Sequence, residues 1–300
     1  VIKAAIGIVS AALMVGTAAA QAFPSRAVTL IVPYPAGGPS DAGARNLAPE
    51  YQKRLHQTVI IENVVGVSGA SGVRRVLDAP PDGHTQLIGS PLELILAPLA
   101  LAAVKHKPTD MRLAALYGST SMVILVRKDA PVKTLDELVA WAKSGTLSAG
   151  NVGHGSLYHL AAVKFSQQAG VTFNHAPYKG AAPLLNDLAG GHIDMAVVPF
   201  SGPVLGMIKE GRFRAVGIAA QQPHPLLPDV PTVSSHPAFA DFNFDVWAGI
   251  QVPRSTPDAV VERINRDVYD SMTEPEYRAR LEANGGRVAP RRSVEELDRL

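Results

Sequence analysis

The sequence predicts an α/β protein of two lobes, and three observations carry that expectation. Strand-like and helix-like segments alternate along the chain. Its 300 residues, 47% hydrophobic and 18% charged, are enough for two cores of moderate size. Two stretches, around Gly118 to Val126 and from the Pro-rich run into Asp245 to Val252, read as strands that cross between lobes. A lobe left and re-entered in this way predicts two mostly parallel sheets flanked by helices, joined by two crossing strands, with a cleft between. The expected division is 1–22 as a leader, 23–120 with 246–300 as lobe 1, and 121–245 as lobe 2.

The leader, "VIKAAIGIVSAALMVGTAAAQA", opens with Lys3 and an apolar stretch from Ala4 to Val15. It ends in Ala20-Gln21-Ala22, an A-x-A pattern that predicts cleavage before Phe23. The apolar part is shorter than the ~20 residues of a spanning helix. Export to a Gram-negative periplasm as a soluble monomer is the expectation. The absence of cysteine excludes disulfides, thiolate nucleophiles, Cys-based metal sites and a lipid-modified N-terminal Cys.

Val28 to Val32 is a continuous apolar run, short enough for a buried strand. Asp41 to His56 places Ala44, Leu47, Ala48, Tyr51 and Leu55 on one helical face. Val59 to Ile61 is a second strand, and residues 69–83 a helix stopped by Pro80 and Pro81. "TQLIGS" (85–90) is a strand that delivers Ser90 to its end, and Pro91 to Ala103 reads as an Ala/Leu helix. Residues 121–129 form the next strand, and 134–145 a helix with Thr134 and Glu137 as its capping box. A short strand (146–150) precedes a helix (156–170) capped by Ser156 and closed by Gly170. After "HAPYKG" come a helix through Leu188, a strand at 193–200, a helix near Val204 to Glu210 and a strand at 214–220. A Pro-rich connection (221–239) leads to the strand 245–253, and the chain is helical from about Pro257.

The candidate chemistries narrow quickly. A net charge of +2, from 28 basic and 26 acidic residues without a basic block, gives no nucleic-acid groove or membrane surface. "GHGSLYH" (153–159) holds Ser156 and His159 but lacks the G-x-S-x-G order of a nucleophile elbow, and Ser156 serves better as a helix cap. An exported hydrolase using this pair is the rival reading. The histidines are scattered without metal-ligand spacing, and neither "PAGG" nor "GVSGASG" matches a nucleotide motif. No metal, cofactor or catalytic residue is therefore expected.

What remains is five strand-to-helix turns of small residues: "YPAGGPSD" (34–41), "GSP" (89–91), "GNVGHGS" (150–156), "YKGA" (178–181) and "PFSG" (199–202). In open α/β sheets such turns border the ligand crevice. Bare backbone there turns N–H groups outward at helix N-termini, where partial positive charge favours an anion. Gly37 and Gly38 would let a carboxylate approach without a Cβ in the way.

These segments together resemble a family. "VPYPAGGPSDAGAR", "PPDGHTQLIGS", "GHGSLYHLAAVKF", "HAPYKGAAPLLNDLAGGHIDMAVVP" and "LPDVPT" stand in the order seen in the extracytoplasmic solute receptors of the tripartite tricarboxylate transporters, the Bug-type receptors of Bordetella and its relatives. The resemblance runs from about Phe23 to the C-terminus. It implies a type II periplasmic-binding-protein fold that closes on a small carboxylate (amino-acid, di- or tricarboxylate, or aromatic acid) through backbone groups and waters. It also implies delivery to membrane permease subunits, with a periplasmic sensor kinase as an alternative partner. Carried over by position, the first ligand loop is Tyr34, Ala36, Gly37, Gly38, Ser40 and Asp41, joined by Ser90. The opposing lobe would add Gly153, Gly155, Ser156, His159, Tyr178, Lys179, Phe200 and Ser201. After "DVPT" this chain reads "VSSHPAFADF", where the family usually has an acidic residue and glycines, so no contact is carried over from that loop. The chain stops at Leu300, inside the helix begun at Ser293, where relatives carry another stretch.

Overall fold

The computed structural model describes residues 23–220 and 222–299; the leader and its cleavage after Ala22 lie outside the described residues. The strands are β1 (Val28–Val32), β2 (Val59–Asn63), β3 (Thr85–Gly89), β4 (Met111–Arg127), β5 (Leu147–Asn151), β6 (Phe173–Pro177), β7 (Met195–Pro199), β8 (Phe213–Ala219) and β9 (Asp245–Pro253). The helices are α1 (Pro39–Leu55), α2 (Ala70–Leu77), α3 (Ala97–Ala100), α4 (Leu135–Ser144), α5 (Leu157–Ala169), α6 (Ala181–Ala189), α7 (Gly202–Lys209), α8 (Asp258–Met272), α9 (Pro275–Ala283) and α10 (Val294–Leu297).

The strand order is β2-β1-β3-β9-β4-β7-β5-β6, with β8 also paired to β4. Parallel β2-β1-β3 and parallel β6-β5-β7 form the two ends. The middle is antiparallel: β9 pairs with β3 and β4, and β4 pairs with β7 and β8. Strand β4 changes partners within its length. Met111 to Ser121 pair with β9, whereas Met122 to Arg127 lie between β7 and β8. One long strand thus runs through both lobes, and β9 begins beside the switch, where Asp245 faces Ser121. The fold is α/β with two lobes joined by these crossing strands.

Each lobe has its own core. Leu30, Val32, Leu47, Tyr51, Ile250, Ile264 and Tyr277 belong to the first. Val123, Leu125, Leu138, Phe165, Leu184, Val197 and Phe242 belong to the second, where Phe165 stacks on Phe239 with centroids 4.7 Å apart. Strand β1 is buried on both faces apart from the half-buried Thr29, which is why it reads as an unbroken apolar run. Local signals place the caps. The Thr134 hydroxyl accepts the Glu137 N–H at 3.2 Å and Glu137 accepts the Thr134 N–H at 3.3 Å. Gly170 ends α5 in the left-handed region at φ 66°.

Three elements differ from the sequence expectation. The helix expected over 91–103 is a π-turn, Leu92–Leu96, followed by the single turn α3. Pro98 has no N–H to return to Leu94, and the ladder widens so that the Ala97 N–H donates to the Leu92 carbonyl, five residues back. Strand β6 was not expected. It lies at the sheet edge, where Asn174, His175 and Pro177 are tolerated and mask the strand pattern. Strand β4 starts ten residues before the expected Ser121, because its first half is covered on both sides and does not alternate.

Candidate ligand-binding site

All five small-residue turns lie at the carboxyl ends of parallel strands: β1, β3, β5, β6 and β7. They surround a cleft of about 1030 Å³, open solvent included, between the lobes. From lobe 1 come Tyr34, Gly38, Ser40, Ser90 and Tyr117; from lobe 2 come Tyr158, Ala181, Phe200, Ser201 and Gly202. Trp247 on β9 and Asn284 after α9 close the far side. Among the described residues, no Asp, Glu, Lys, Arg or His lines this cleft.

The loop before α1 owes its shape to Asp41. This residue is 3% exposed. It accepts the Gly37 N–H at 3.0 Å, the Arg45 guanidinium at 2.9 and 3.1 Å, and the Asn63 amide at 3.1 Å. Burial alone would raise its carboxyl, but the bonds from Arg45, Gly37 and Asn63 outweigh it and hold the group below the ordinary carboxylate value. Asp41 therefore ties the loop to its helix and to β2. Gly38 stands before the helix at φ −85° with no side-chain cap, and Pro39 occupies the first turn. The N–H groups of Ser40 and Asp41 have no acceptor among the described residues, so α1 opens onto the cleft with these donors free.

Helix α1 has counterparts in lobe 2. Ala181 begins α6 and lines the cleft, with its Cβ 3.9 Å from the place a Cβ on Gly38 would occupy. Ser201 and Gly202 begin α7, and the Ser201 hydroxyl is buried without a hydrogen-bond partner. Three helix N-termini from two lobes thus converge on a space without a charged side chain. An anion there would meet the positive ends of all three.

The remaining residues carried over from the resemblance sit elsewhere. Ala36 and Gly37 are exposed at the loop tip. Gly153 and Gly155 press on the other lobe, as does Gly180, which was not among the residues carried over. A Cβ at Gly153 would be 2.7 Å from the Ser68 hydroxyl, at Gly155 1.9 Å from the Ala100 Cβ, and at Gly180 2.4 Å from the Pro35 ring. These turns are bare where the lobes touch. Tyr178 donates to Asp187 at 2.8 Å, and Lys179 is exposed. Ser156 donates to the Gly153 carbonyl at 2.6 Å and accepts the His159 N–H at 3.3 Å. The His159 ring instead accepts the Gly155 N–H at 3.3 Å and packs against His154 and His175, with centroids 4.8 and 4.6 Å away. Ser156 and the His159 imidazole thus do not form a nucleophile–base pair.

Sequence reasoning did not single out Glu93. It is fully buried under the cleft floor. Both Ser90 groups reach it: the N–H donates to Oε1, and the hydroxyl donates to Oε2 at 2.9 Å. The Tyr34 hydroxyl donates to the same Oε2 at 3.1 Å. Burial pushes the carboxyl up to about 7, against the opposing pull of these hydrogen bonds. Its one sequence signal is the interruption of an apolar run, "LELIL". Tyr117, Trp247 and Asn284 carried no motif at all.

Comparison with known proteins follows the same lines. Residues 43–295 match the family model TctC, the tripartite tricarboxylate transporter family receptor. Among curated relatives, the UPF0065 protein in the tcbD-tcbE intergenic region of Pseudomonas sp. strain P51 is 32% identical over 272 residues, which is 90% of this chain and 80% of that protein. Protein BugT of Bordetella pertussis is 29% identical over 90% of this chain and 83% of its own length. Among solved structures, MatC from Rhodopseudomonas palustris with bound malate gives a TM-score of 0.86 at 30% identity, covering 92% of this chain and 95% of that one. The periplasmic binding protein BugD gives 0.83 at 30% identity, covering 89% of each chain. R. palustris Rpa4515 with adipate gives 0.87 at 27% identity, covering 92% of this chain and 93% of its own. This chain belongs to the tripartite tricarboxylate transporter receptor family, as a Bug-type solute-binding receptor and not an enzyme.

Proposed function

We propose that this protein is a periplasmic receptor that closes on a small carboxylate and delivers it to the permease subunits of a tripartite carboxylate transporter. The observation that carries this reading is the cleft without charged side chains onto which α1, α6 and α7 open. Free helix donors suit a carboxylate better than a cation or an uncharged solute. The malate and adipate in the similar structures support the ligand class. The ligand is an amino-acid, di- or tricarboxylate, or aromatic acid, and the receptor works as a monomer.

In this reading lobe 1 is 23–120 with 246–300, and lobe 2 is 121–245, the boundary falling where β4 changes partners. Gly38, Ser40, Ser90, Ser201 and the faces of Tyr34 and Phe200 touch the acid. Gly153, Gly155, Tyr178 and Lys179 belong to the rim, where closure is completed. Native mass spectrometry of gently purified protein tests the proposal. A retained small acid, confirmed by calorimetry on refilled protein, supports it; a retained cation or neutral sugar as sole ligand refutes it.

A further inference from the structure

We propose that Glu93, buried beneath the cleft floor, takes up a proton as a carboxylate binds, so that affinity for the acid falls as pH rises. The inference rests on the carboxylate-receptor reading above and adds to it a means of regulation.

The argument begins with donors and acceptors. Tyr34 and Ser90 both line the lobe 1 side of the cleft, and both direct their hydroxyl protons to Glu93. The Ser90 hydroxyl proton goes to Glu93 at 2.9 Å, while its oxygen accepts the Leu92 N–H at 3.2 Å. The Tyr34 proton goes to Glu93 at 3.1 Å, with the Ser68 carbonyl at 3.4 Å as its other acceptor. While Glu93 is ionised it has only lone pairs to offer, so it captures these protons. Neither proton is then available to an entering carboxylate, which the negative charge beneath the floor also repels. A protonated Glu93 reverses one of these bonds. Its own O–H donates to one hydroxyl, and that hydroxyl is free to turn its proton toward the acid.

The surroundings give Glu93 no other source of positive charge. Tyr34 faces it from the turn after β1, Ser90 from the end of β3, and Tyr117 from β4. Tyr158 of α5 lies beyond Tyr34, and the His106 ring bonds the Glu93 backbone carbonyl at 2.9 Å. Among the described residues, no Lys or Arg pairs with the carboxylate. Burial places the group near neutrality, where a modest change in its surroundings moves a proton. The π-turn holds Glu93 there, since it carries the side chain inward from an otherwise apolar segment. The step balances simply. The acid brings one negative charge, the solvent buffer yields one proton to the Glu93 carboxylate, and no other species takes part.

Calorimetry with adipate, in phosphate and in Tris between pH 6 and 8, tests the coupling. For wild type, the binding enthalpy should differ between the buffers, reporting uptake of up to one proton. Affinity should fall by as much as about tenfold per pH unit above neutrality. Glu93→Gln, neutral and of the same shape, should take up fewer protons than wild type, by up to one, and should lose the matching part of the pH dependence. His159 and His175, held below the ordinary imidazole value chiefly by burial, are common to both proteins and cancel in the comparison. Wild-type enthalpies that agree between buffers overturn the proposal, as does uptake in Glu93→Gln equal to that of wild type. If no acid of a panel of amino acids, di- and tricarboxylates and aromatic acids binds wild type, the carboxylate-receptor reading itself is refuted. Carbon-13 titration of the Glu93 carboxyl in free protein then decides this inference separately. A midpoint near neutrality supports it, and one near the ordinary glutamate value overturns it.

Discussion

Substituting Gly180 by Ala should block closure while leaving both lobes folded. Gly180 precedes α6 in an extended conformation, φ 169° and ψ 175°, that alanine also adopts. The obstacle is the opposite lobe. The new Cβ would lie 2.4 Å from Cδ and 2.7 Å from Cγ of Pro35, where contact requires about 3.5 Å or more. A proline ring has no flexible end to swing aside, so the lobes must part by roughly 1 Å at this point. Overpacking of this size costs about 1–3 kcal/mol, which translates into an affinity loss of roughly 5- to 150-fold. The contact exists only when the lobes touch, so the melting temperature of free, open protein should hardly change. Calorimetry measures the affinity loss, and X-ray scattering at saturating acid measures the reduced compaction. Wild-type affinity with full compaction in Gly180→Ala would refute the argument that the bare turns serve close approach.

Five further outcomes follow from the same geometry. Gly38→Asp should weaken acid binding by about two to four orders of magnitude, because it competes for two charge-assisted hydrogen bonds worth about 1.5–3 kcal/mol each. Gly38→Ala, whose Cβ would meet Pro35 O at 3.4 Å and Ala181 at 3.9 Å, should bind within a few-fold of wild type by calorimetry. Lys179→Ala should change affinity little, since the side chain is exposed and outside the cleft lining. Ser156→Ala should cost about 1 kcal/mol of stability in urea unfolding through the lost α5 cap, and no ester turnover should be found before or after. Glu93 gives a pH signature to folding. Its folded carboxyl holds a proton that the unfolded chain releases above about 4.5, so stability falls as pH rises from there to about 7, by an amount on the order of 3 kcal/mol. Glu93→Gln should flatten that part of the urea-unfolding profile.

The sequence was legible where a local rule decides the structure. The apolar run of β1, the Thr134–Glu137 capping box and Gly170 each act within a few residues, and each appears where the pattern places it. The turns at the strand ends were legible as turns for the same reason. Their division of labour was not. Whether Gly38 faces a ligand or Gly180 faces Pro35 depends on a lobe more than 100 residues away in sequence, and glycine leaves no side chain to hint at its neighbour. Asp41 illustrates the same limit. As the first acid of a helix it reads as a favourable charge at the dipole, while its structural work is done through Gly37, Arg45 and Asn63. Glu93 was hidden because an acid in an apolar segment ordinarily faces water, and only the π-turn, itself set by Pro98, turns it inward.

The central claim is that the uncharged cleft holds a carboxylate on free backbone donors. Thermal-shift titration with amino acids, di- and tricarboxylates and aromatic acids, each paired with its uncharged amide, tests it most directly. Stabilisation by at least one acid, absent with its amide and lost in Gly38→Asp, is the predicted result. Equal stabilisation by an acid and its amide, or full retention in Gly38→Asp, would contradict it.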